Sequence, residues 1–205
     1  MANKPLDTTL LDRAIVFAVR AHAGTERRGK GFPYIVHPME AVEIVSTMTN
    51  DQELLAAAVL HDTVEDTDTT IEQIRAEFGF RVASFVAAES DEPHQSRDSI
   101  ENWRARKQAA IDRLACSSHD TKIVALGDKL SNMRAIARDY AQQGDALWNL
   151  FHAKDRKDHE WHYRGLAESL RELQDTFAYK EFEQLINQVF GEVTSEEYAI
   201  ATHEV

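Results

Sequence analysis

The chain has 205 residues with 35 acidic and 23 basic side chains, a formal net charge of −12 and an apolar content of 43%, which fits a single soluble globular domain. The negative charge works against nucleic acid and anionic lipid as partners, and the one cysteine, Cys116, excludes an intrachain disulfide and a thiolate metal cluster. The first residues lack a signal-peptide pattern, and no apolar run approaches the roughly 20 residues of a membrane span. We therefore expect a soluble protein of the reducing cytoplasm.

Helical periodicity dominates the first third of the chain. Apolar residues at helical spacing from Leu10 to Val19 predict a first helix that stops before Gly24. Pro38 suits the first turn of a second helix that reaches about Met48. The next segment, DQELLAAAVLH, is apolar on nearly every face beyond its first turn. This pattern predicts a helix buried in the centre of the fold.

The remaining segments are also helical in pattern, because β-branched and aromatic runs are short and scattered. Thr69 and Glu72 have the spacing of a capping box before a short helix that ends at Gly79. Further helices are predicted at residues 81–88, 100–116, 121–140, 157–176 and 179–190. The polar, non-periodic stretch 89–99 is predicted to be an exposed loop.

These elements predict an all-α fold with one compact multi-helix domain over residues 1–205. Its core is expected at about residues 10–140, with closing C-terminal helices at about 144–192 and a short tail at 193–205. We find no internal repeat and no linker long enough to divide the chain.

Four polar residues lie at the boundaries of apolar segments. His61 and Asp62 end the buried helix, where an unpaired imidazole or carboxylate would be costly. His37 directly precedes Pro38, and Asp128 interrupts the apolar run IVALGDKL. Two imidazoles and two carboxylates would give a mixed nitrogen and oxygen site for a divalent ion such as Mn, Fe, Zn or Mg. An isolated His-Asp pair could equally cap a helix and meet a buried arginine.

Two further carboxylates follow closely. Glu65 lies four residues after His61 and three after Asp62, so a continuing turn would bring all three to the same space. A divalent cation lowers the pKa of its water toward neutrality, and a carboxylate such as Glu65 or Asp66 can take the proton. The alternative is that both belong to a solvated acidic loop.

Amide and basic side chains near these residues are candidates for phosphate binding. Asn132 lies one helical turn after Asp128 and would project to the same pocket. The cationic groups that phosphate oxygens require are supplied by Arg27, Arg28, Lys30, Lys129 and Arg134. Each of them, taken singly, would also fit a solvated surface.

The order of His37, His61-Asp62 and Asp128 resembles the HD superfamily of metal-dependent phosphohydrolases. The strings FAVRAHAG, PYIVHP, AAAVLHDTVEDTDTT, FG and LGDKLSNMRAI also resemble, in order, the hydrolase domain of RelA/SpoT homologues. The likeness is greatest to the small stand-alone alarmone hydrolases of metazoan-SpoT-like type, and it covers about residues 10–140. It implies a single HD hydrolase domain.

The resemblance also implies roles for individual residues. One Mn²⁺ ion would be bound by His37, His61, Asp62 and Asp128, while Glu65 and Asp66 would activate water. Asn132 would contact the nucleotide, Arg27 and Arg28 would lie in a basic loop against base and phosphate, and Tyr34 would lie in the same wall. The implied reaction is hydrolysis of guanosine tetraphosphate or pentaphosphate at the 3′ side to GDP or GTP and pyrophosphate. The implied partner is thus a nucleotide, and a homo-oligomer is left open.

Two departures from that pattern keep other functions open. Pro93 in SDEPH stands where relatives often have the lysine of Asp-Asp-Lys, and the C-terminal third resembles the family only loosely. In that third, Tyr163 and Arg164 fit a pocket lining as well as core packing and a surface charge. The alternatives are the same metal chemistry on an adenosine alarmone, NADPH or a nucleoside monophosphate, and a non-catalytic alarmone sensor.

Overall fold

The computed structural model describes residues 7–27, 29–90 and 100–191, and its regular elements there are helices. They are α1 Thr9–Ala21, α2 Val36–Ser46, α3 Gln52–Leu60, α4 Thr63–Asp66, α5 Ile71–Phe78, α6 Phe80–Glu89, α7 Ile100–Ala115, α8 His119–Gln143, α9 Arg156–Ser169 and α10 Phe177–Phe190. Two 3-10 helices, Gly144–Leu150 and Arg171–Leu173, lie between the last α-helices. The predicted all-α fold is confirmed. Arg28, Pro93 with the rest of 91–99, and the tail from 192 lie outside the described residues.

Helix α3 forms the centre of the fold. Every residue from Leu54 to Leu60 is buried, and the helix packs against α1, α2, α6 and α8. Its N-terminus is capped by Asp51, whose carboxylate accepts a hydrogen bond from the amide of Glu53 at 2.9 Å. The predicted central helix is therefore confirmed, and its C-terminal end delivers His61 to the interior.

One predicted helix start is confirmed and another needs correction. Helix α2 begins at Val36, so Pro38 is its third residue and lies in the first turn, where the missing N–H has no intrahelical partner in any case. The capping box of α5 uses Thr70 and Gln73 rather than Thr69 and Glu72. The hydroxyl of Thr69 is instead hydrogen-bonded to that of Thr67 at 2.8 Å, within the turn before the helix.

The predicted helix over 157–176 is confirmed to Ser169 and wrong in its last third. Helix α9 ends at Ser169, and a 3-10 turn leads to α10, which begins at Phe177. Helix α10 begins there because the hydroxyl of Thr176 caps its N-terminus by accepting a hydrogen bond from the amide of Tyr179 at 3.1 Å. The 3-10 helix Gly144–Leu150, which had not been predicted as an element, buries Leu147 and Trp148.

A glycine sets the distance between α2 and α8. A Cβ atom on Gly127 would lie 2.6 Å from Val45 Cγ2 and 2.9 Å from the carbonyl oxygen of Ala41. Only glycine fits that approach without movement of the helices. Because Gly127 directly precedes Asp128 and α2 contains His37, this contact fixes the spacing of two predicted metal ligands. None of the described helices is long and apolar enough to cross a membrane.

Candidate active site

Four predicted ligand atoms converge at the ends of α2 and α3 and the middle of α8. His37 Nε2 lies 3.3 Å from Asp62 Oδ2 and 3.1 Å from Asp128 Oδ1. His61 Nε2 lies 3.0 Å from Asp62 Oδ2 and 3.4 Å from Asp128 Oδ1. Both imidazoles and Asp128 are buried. The structure thus brings together the residues that the sequence suggested as metal ligands.

Hydrogen bonds on the far side of each imidazole orient its Nε2 atom. Ser131 Oγ donates to Glu40 Oε2 at 2.7 Å, so its lone pair accepts from His37 Nδ1 at 2.7 Å. His61 Nδ1 lies 2.8 Å from the carbonyl oxygen of Ala58, which can only accept. In neutral imidazoles, both Nε2 lone pairs are therefore available to a metal ion.

The charges of the cluster favour a cation. Burial would raise the pKa of Asp62 and Asp128, but the nearby His61 imidazole at Asp62 and the adjacent Lys129 ammonium at Asp128 hold both well below the usual range. Burial would lower the pKa of His61, yet the two carboxylates raise it well above its ordinary value. Two ionised carboxylates at one buried point require positive charge.

The donor set fits a divalent metal ion. His61 Nε2 is buried and makes no hydrogen bond of acceptable geometry with the described residues, although it faces two carboxylates. His37, His61 and Asp128 offer ligand atoms that all lie within 4.8 Å of one another. Two neutral imidazoles and two carboxylates are ligands suited to Mn, Fe and Zn alike, so the geometry indicates a cation without selecting it.

Three neighbouring side chains hold the two carboxylates in place. The hydroxyl of Tyr34 donates to Asp62 Oδ2 at 2.6 Å, and burial together with the Asp62 charge raises the pKa of Tyr34, which keeps it a donor. Asn132 Nδ2 donates to Asp128 Oδ1 at 2.5 Å, and Lys129 Nζ donates to Asp128 Oδ2 at 2.6 Å. Lys129 also bonds Glu89 at 2.9 Å, so two carboxylates balance its charge.

The basic loop before α2 reaches the same place. Arg27 Nη2 donates to Asn132 Oδ1 at 2.5 Å, and its guanidinium lies over the ring of Tyr34 at 5.1 Å. These contacts place a cation next to the metal-ligand cluster. Lys30 instead pairs with Asp139.

A cavity of about 390 Å³ joins these groups into one site. Its wall includes the ligands His37, Asp62 and Asp128 and, beside them, the carboxylates Glu65 and Asp66. The predicted residues Arg27, Tyr34, Lys129 and Asn132 also line it. The acidic pair therefore faces the same space as the proposed metal ligands, which for Glu65 is what the helical spacing predicted.

Two candidate residues lie elsewhere in the described structure. Arg134 does not line the cavity, because its guanidinium is bound to Glu181 at 2.7 and 2.8 Å and to Glu40 at 3.3 Å. It links α8 to α10 and α2, and we do not retain it as a substrate residue. Arg164 is likewise absent from the wall and bonds Asn187 at 3.2 Å, whereas Tyr163 does line the cavity.

Sequence reasoning missed one side of the cavity and the support behind the ligands. The missed wall residues belong mainly to α7 and α9 and include Trp103, Lys107, Arg113, His159 and His162. Nothing in their spacing relates them to His61 or Asp128, because only helix packing brings α7 and α9 to the site. Ser131 had a weak signal, since it lies three residues after Asp128 on α8.

The helical fold and the cluster of two histidines and two aspartates offer a donor set suited to a divalent cation, and comparison with known proteins gives the family. The chain matches the family described as HD domain over residues 14–156, and it belongs to this family. The match contains the four predicted ligands together with Glu65 and Asp66.

Several curated relatives are alarmone hydrolases by name. The chain is 37% identical over 134 residues to the guanosine-3′,5′-bis(diphosphate) 3′-pyrophosphohydrolase MESH1 of Danio rerio, covering 64% of this chain and 71% of that protein. It is 37% identical over 125 residues to human MESH1, covering 60% of this chain and 66% of that protein. The likeness to the pyrophosphohydrolase of Aquifex aeolicus, at 31% identity, spans only 19% of that longer protein.

Solved structures share the fold. A structure described as a metazoan ortholog of SpoT that hydrolyzes ppGpp has a TM-score of 0.74 at 23% identity and covers 93% of this chain and all of that one. A protein from Listeria monocytogenes EGD-e has a TM-score of 0.67 at 25% identity over 76% of this chain. The first overlap extends into the closing helices, which the sequence related only loosely to the family.

Proposed function

We propose that this protein is a Mn²⁺-dependent 3′-pyrophosphohydrolase that converts guanosine tetraphosphate or pentaphosphate to GDP or GTP and pyrophosphate. One observation supports this most: Glu65 and Asp66 line the same cavity as the His37, His61, Asp62 and Asp128 cluster. That cavity also contains the Arg27 cation, which a phosphorylated substrate requires. The named relatives hydrolyse the 3′ pyrophosphate of this nucleotide.

The reaction requires one proton to leave water and one to reach the ribose 3′ oxygen when the bond from that oxygen to phosphorus breaks. A divalent ion bound by the four ligands would supply a Lewis acid that polarises a phosphoryl oxygen and acidifies water. Glu65 and Asp66, which line the cavity, would accept the proton from water and return it to the leaving oxygen. Arg27, next to the metal-ligand cluster, would neutralise phosphate charge.

The supporting hydrogen bonds explain why these residues would act as a unit. Tyr34 and Asn132 each donate to the oxygen of Asp62 or Asp128 that faces the imidazoles. This fixes the carboxylate orientation before substrate binds, which lowers the cost of assembling the site. Asn132 also links Arg27 to the cluster, so nucleotide contact at Arg27 is coupled to the ligand geometry.

The nucleotide is then the partner of this protein, acting in the cytoplasm, and we propose no nucleic acid or membrane partner. The net charge of −12 opposes both. Three basic side chains along the cavity, Arg27, Lys107 and Arg113, provide local cationic groups for a polyanion despite that charge. Sedimentation velocity would measure whether this protein forms homo-oligomers.

The test is pyrophosphate release from guanosine tetraphosphate by protein freed of metal and then reloaded with Mn²⁺, Zn²⁺ or Mg²⁺. We expect rapid release that requires Mn²⁺. Adenosine tetraphosphate, NADPH and a nucleoside monophosphate are compared in the same assay. Greater turnover of one of these compounds would support the same metal chemistry with a different substrate. Binding of guanosine tetraphosphate without turnover would indicate a sensor.

Three variants separate metal binding from water activation. Asp62→Ala and Asp128→Ala should lose Mn²⁺ and activity together, because each leaves the ion with three of its four protein ligands. Glu65→Ala should retain the metal by elemental analysis and lose at least about 100-fold in turnover. Equal loss of metal from all three variants would contradict the assignment of Glu65 to proton transfer.

A further inference from the structure

A histidine that the proposed chemistry does not use lines the cavity from α9. His162 lies on α9 and packs against the edge of the Trp103 ring of α7, with ring centroids 6.1 Å apart and planes at 68°. Its Nδ1 atom is buried and has no hydrogen-bond partner among the described residues. An unsatisfied buried nitrogen in the wall of a binding cavity suggests that a ligand supplies the missing partner.

The surroundings of this imidazole are cationic. Burial holds the pKa of His162 well below its ordinary value, and the ammonium groups of Lys107 on α7 and Lys129 on α8 lower it further. A neutral imidazole keeps one N–H to donate. Lys107 lines the cavity beside it. A neutral donor next to a cation suits an anionic oxygen and does not suit a cationic or apolar group.

The metal ligands lie on other elements. His37, Asp62 and Asp128 belong to α2, to the turn after α3 and to α8, whereas His162 and Lys107 belong to α9 and α7. A nucleotide with diphosphates at both the 3′ and 5′ positions of one ribose needs two separate anion sites. One diphosphate at the metal centre leaves the other to be bound by basic and donor groups elsewhere in the cavity.

We propose that His162 and Lys107 form a recognition site for the phosphate group that is not hydrolysed, the 5′-diphosphate of the substrate. The assignment of this group to the 5′ position rests on the proposed function. The preference for a phosphate anion rests on the local chemistry alone. His162 acts here as a specificity-determining residue and takes no part in bond cleavage.

The experiment measures binding of GDP and of guanosine to metal-free protein by calorimetry. Without the ion, the Asp62 and Asp128 carboxylates repel phosphate, so the affinity for GDP over guanosine depends on the cationic and donor groups of the cavity. Substitutions on α7 and α9 then measure the share that this side contributes. We expect His162→Ala to weaken GDP binding about tenfold, the typical effect of losing one hydrogen bond to a charged group, and to leave guanosine binding unchanged. His162→Asn, whose amide can place an N–H near the Nδ1 position, should stay within about threefold of the wild type.

The matched control is His152→Ala, an exposed histidine that does not line the cavity, for which we expect wild-type binding. Lys107→Met provides a second variant that should also weaken GDP and spare guanosine, and circular dichroism melts confirm that each variant is folded. Equal GDP affinity in the wild type, His162→Ala and Lys107→Met would overturn the proposal.

A kinetic measurement separates this proposal from the proposed function. With Mn²⁺ and guanosine tetraphosphate, His162→Ala should raise KM about tenfold with kcat within about twofold, and the defect should vanish for guanosine 3′-diphosphate, which lacks the 5′ group. If the wild type releases no pyrophosphate and GDP binding still depends on His162, the proposed function fails and the phosphate site stands. A defect of equal size on both substrates would refute the 5′ assignment.

Discussion

The hydrogen bond behind His37 gives the sharpest test of the metal centre. Ser131→Ala removes the oxygen that accepts from His37 Nδ1 at 2.7 Å and the hydroxyl that donates to Glu40 at 2.7 Å. The imidazole N–H would then be buried without a partner, and its ring would no longer be held with Nε2 toward Asp128. Loss of such support behind a ligand typically costs 10- to 100-fold in metal affinity, which is about 1.4–2.8 kcal/mol.

The assay is calorimetric titration of Mn²⁺ into chelator-treated protein, together with urea unfolding of the metal-free form. We expect the dissociation constant to rise by about 10- to 100-fold, and the free energy of unfolding to fall by about 1–3 kcal/mol because a buried donor is left unsatisfied. Ser84→Ala is the matched control, since Ser84 is exposed and its hydroxyl bonds only the carbonyl oxygen of Arg81 within the same helix. Wild-type Mn²⁺ affinity in Ser131→Ala would show that His37 is oriented without this bond.

Three other perturbations probe the frame of the site. Gly127→Ala should lower the free energy of unfolding by about 1–3 kcal/mol and weaken Mn²⁺ binding, because the new Cβ would push α2 away from α8. Thermal melts with and without Mn²⁺ would show both effects, and unchanged melting temperatures would contradict the close contact. Lys129→Met should raise the pKa of Asp128. As the pH is lowered, this variant should therefore lose Mn²⁺ binding at a higher pH than the wild type. Arg81→Met should destabilise by about 1 kcal/mol or less, since solvent screens its half-exposed pair with Asp51.

The last of these effects has a defined pH dependence. Burial opposes the shift, but the hydrogen bond from Arg81 lowers the pKa of Asp51 below its unfolded value. The stabilisation is therefore present above the unfolded pKa of about 3.9 and is lost as the pH falls through the folded value. Urea unfolding should show the difference between the wild type and Arg81→Met near pH 7 and a smaller one near pH 3. A difference that grew on acidification would reverse the sign of this argument.

Much of the fold and the metal centre followed from the sequence. The unbroken apolar run of α3 predicted its central position, because only a fully buried helix tolerates apolar residues on all faces. His61 and Asp62 at the end of that run, and Asp128 within the apolar part of α8, stood out because polar groups in such places need partners. Their convergence with His37 then needed only that α2 and α8 pack against α3, as they do.

Local signals failed where two neighbouring residues offered similar chemistry. Thr69 and Thr70 can both accept an amide hydrogen bond, and the capping box of α5 forms one residue later than predicted, at Thr70 and Gln73. Arg134 was a candidate phosphate ligand because it is a cationic side chain near Asp128 in the sequence. The acidic residues of α2 and α10 that engage it are distant in sequence.

The sequence by itself determined the helical class and the residues that meet at the metal centre. Helical periodicity and polar residues within apolar runs can both be recognised in a single segment of the chain. Only the tertiary structure decided which bonds orient those ligands and what forms the opposite wall. The Ser131 and Glu40 support and the His162 side depend on packing between helices far apart in the chain. Such contacts follow from side-chain shape and close packing, which no local pattern encodes.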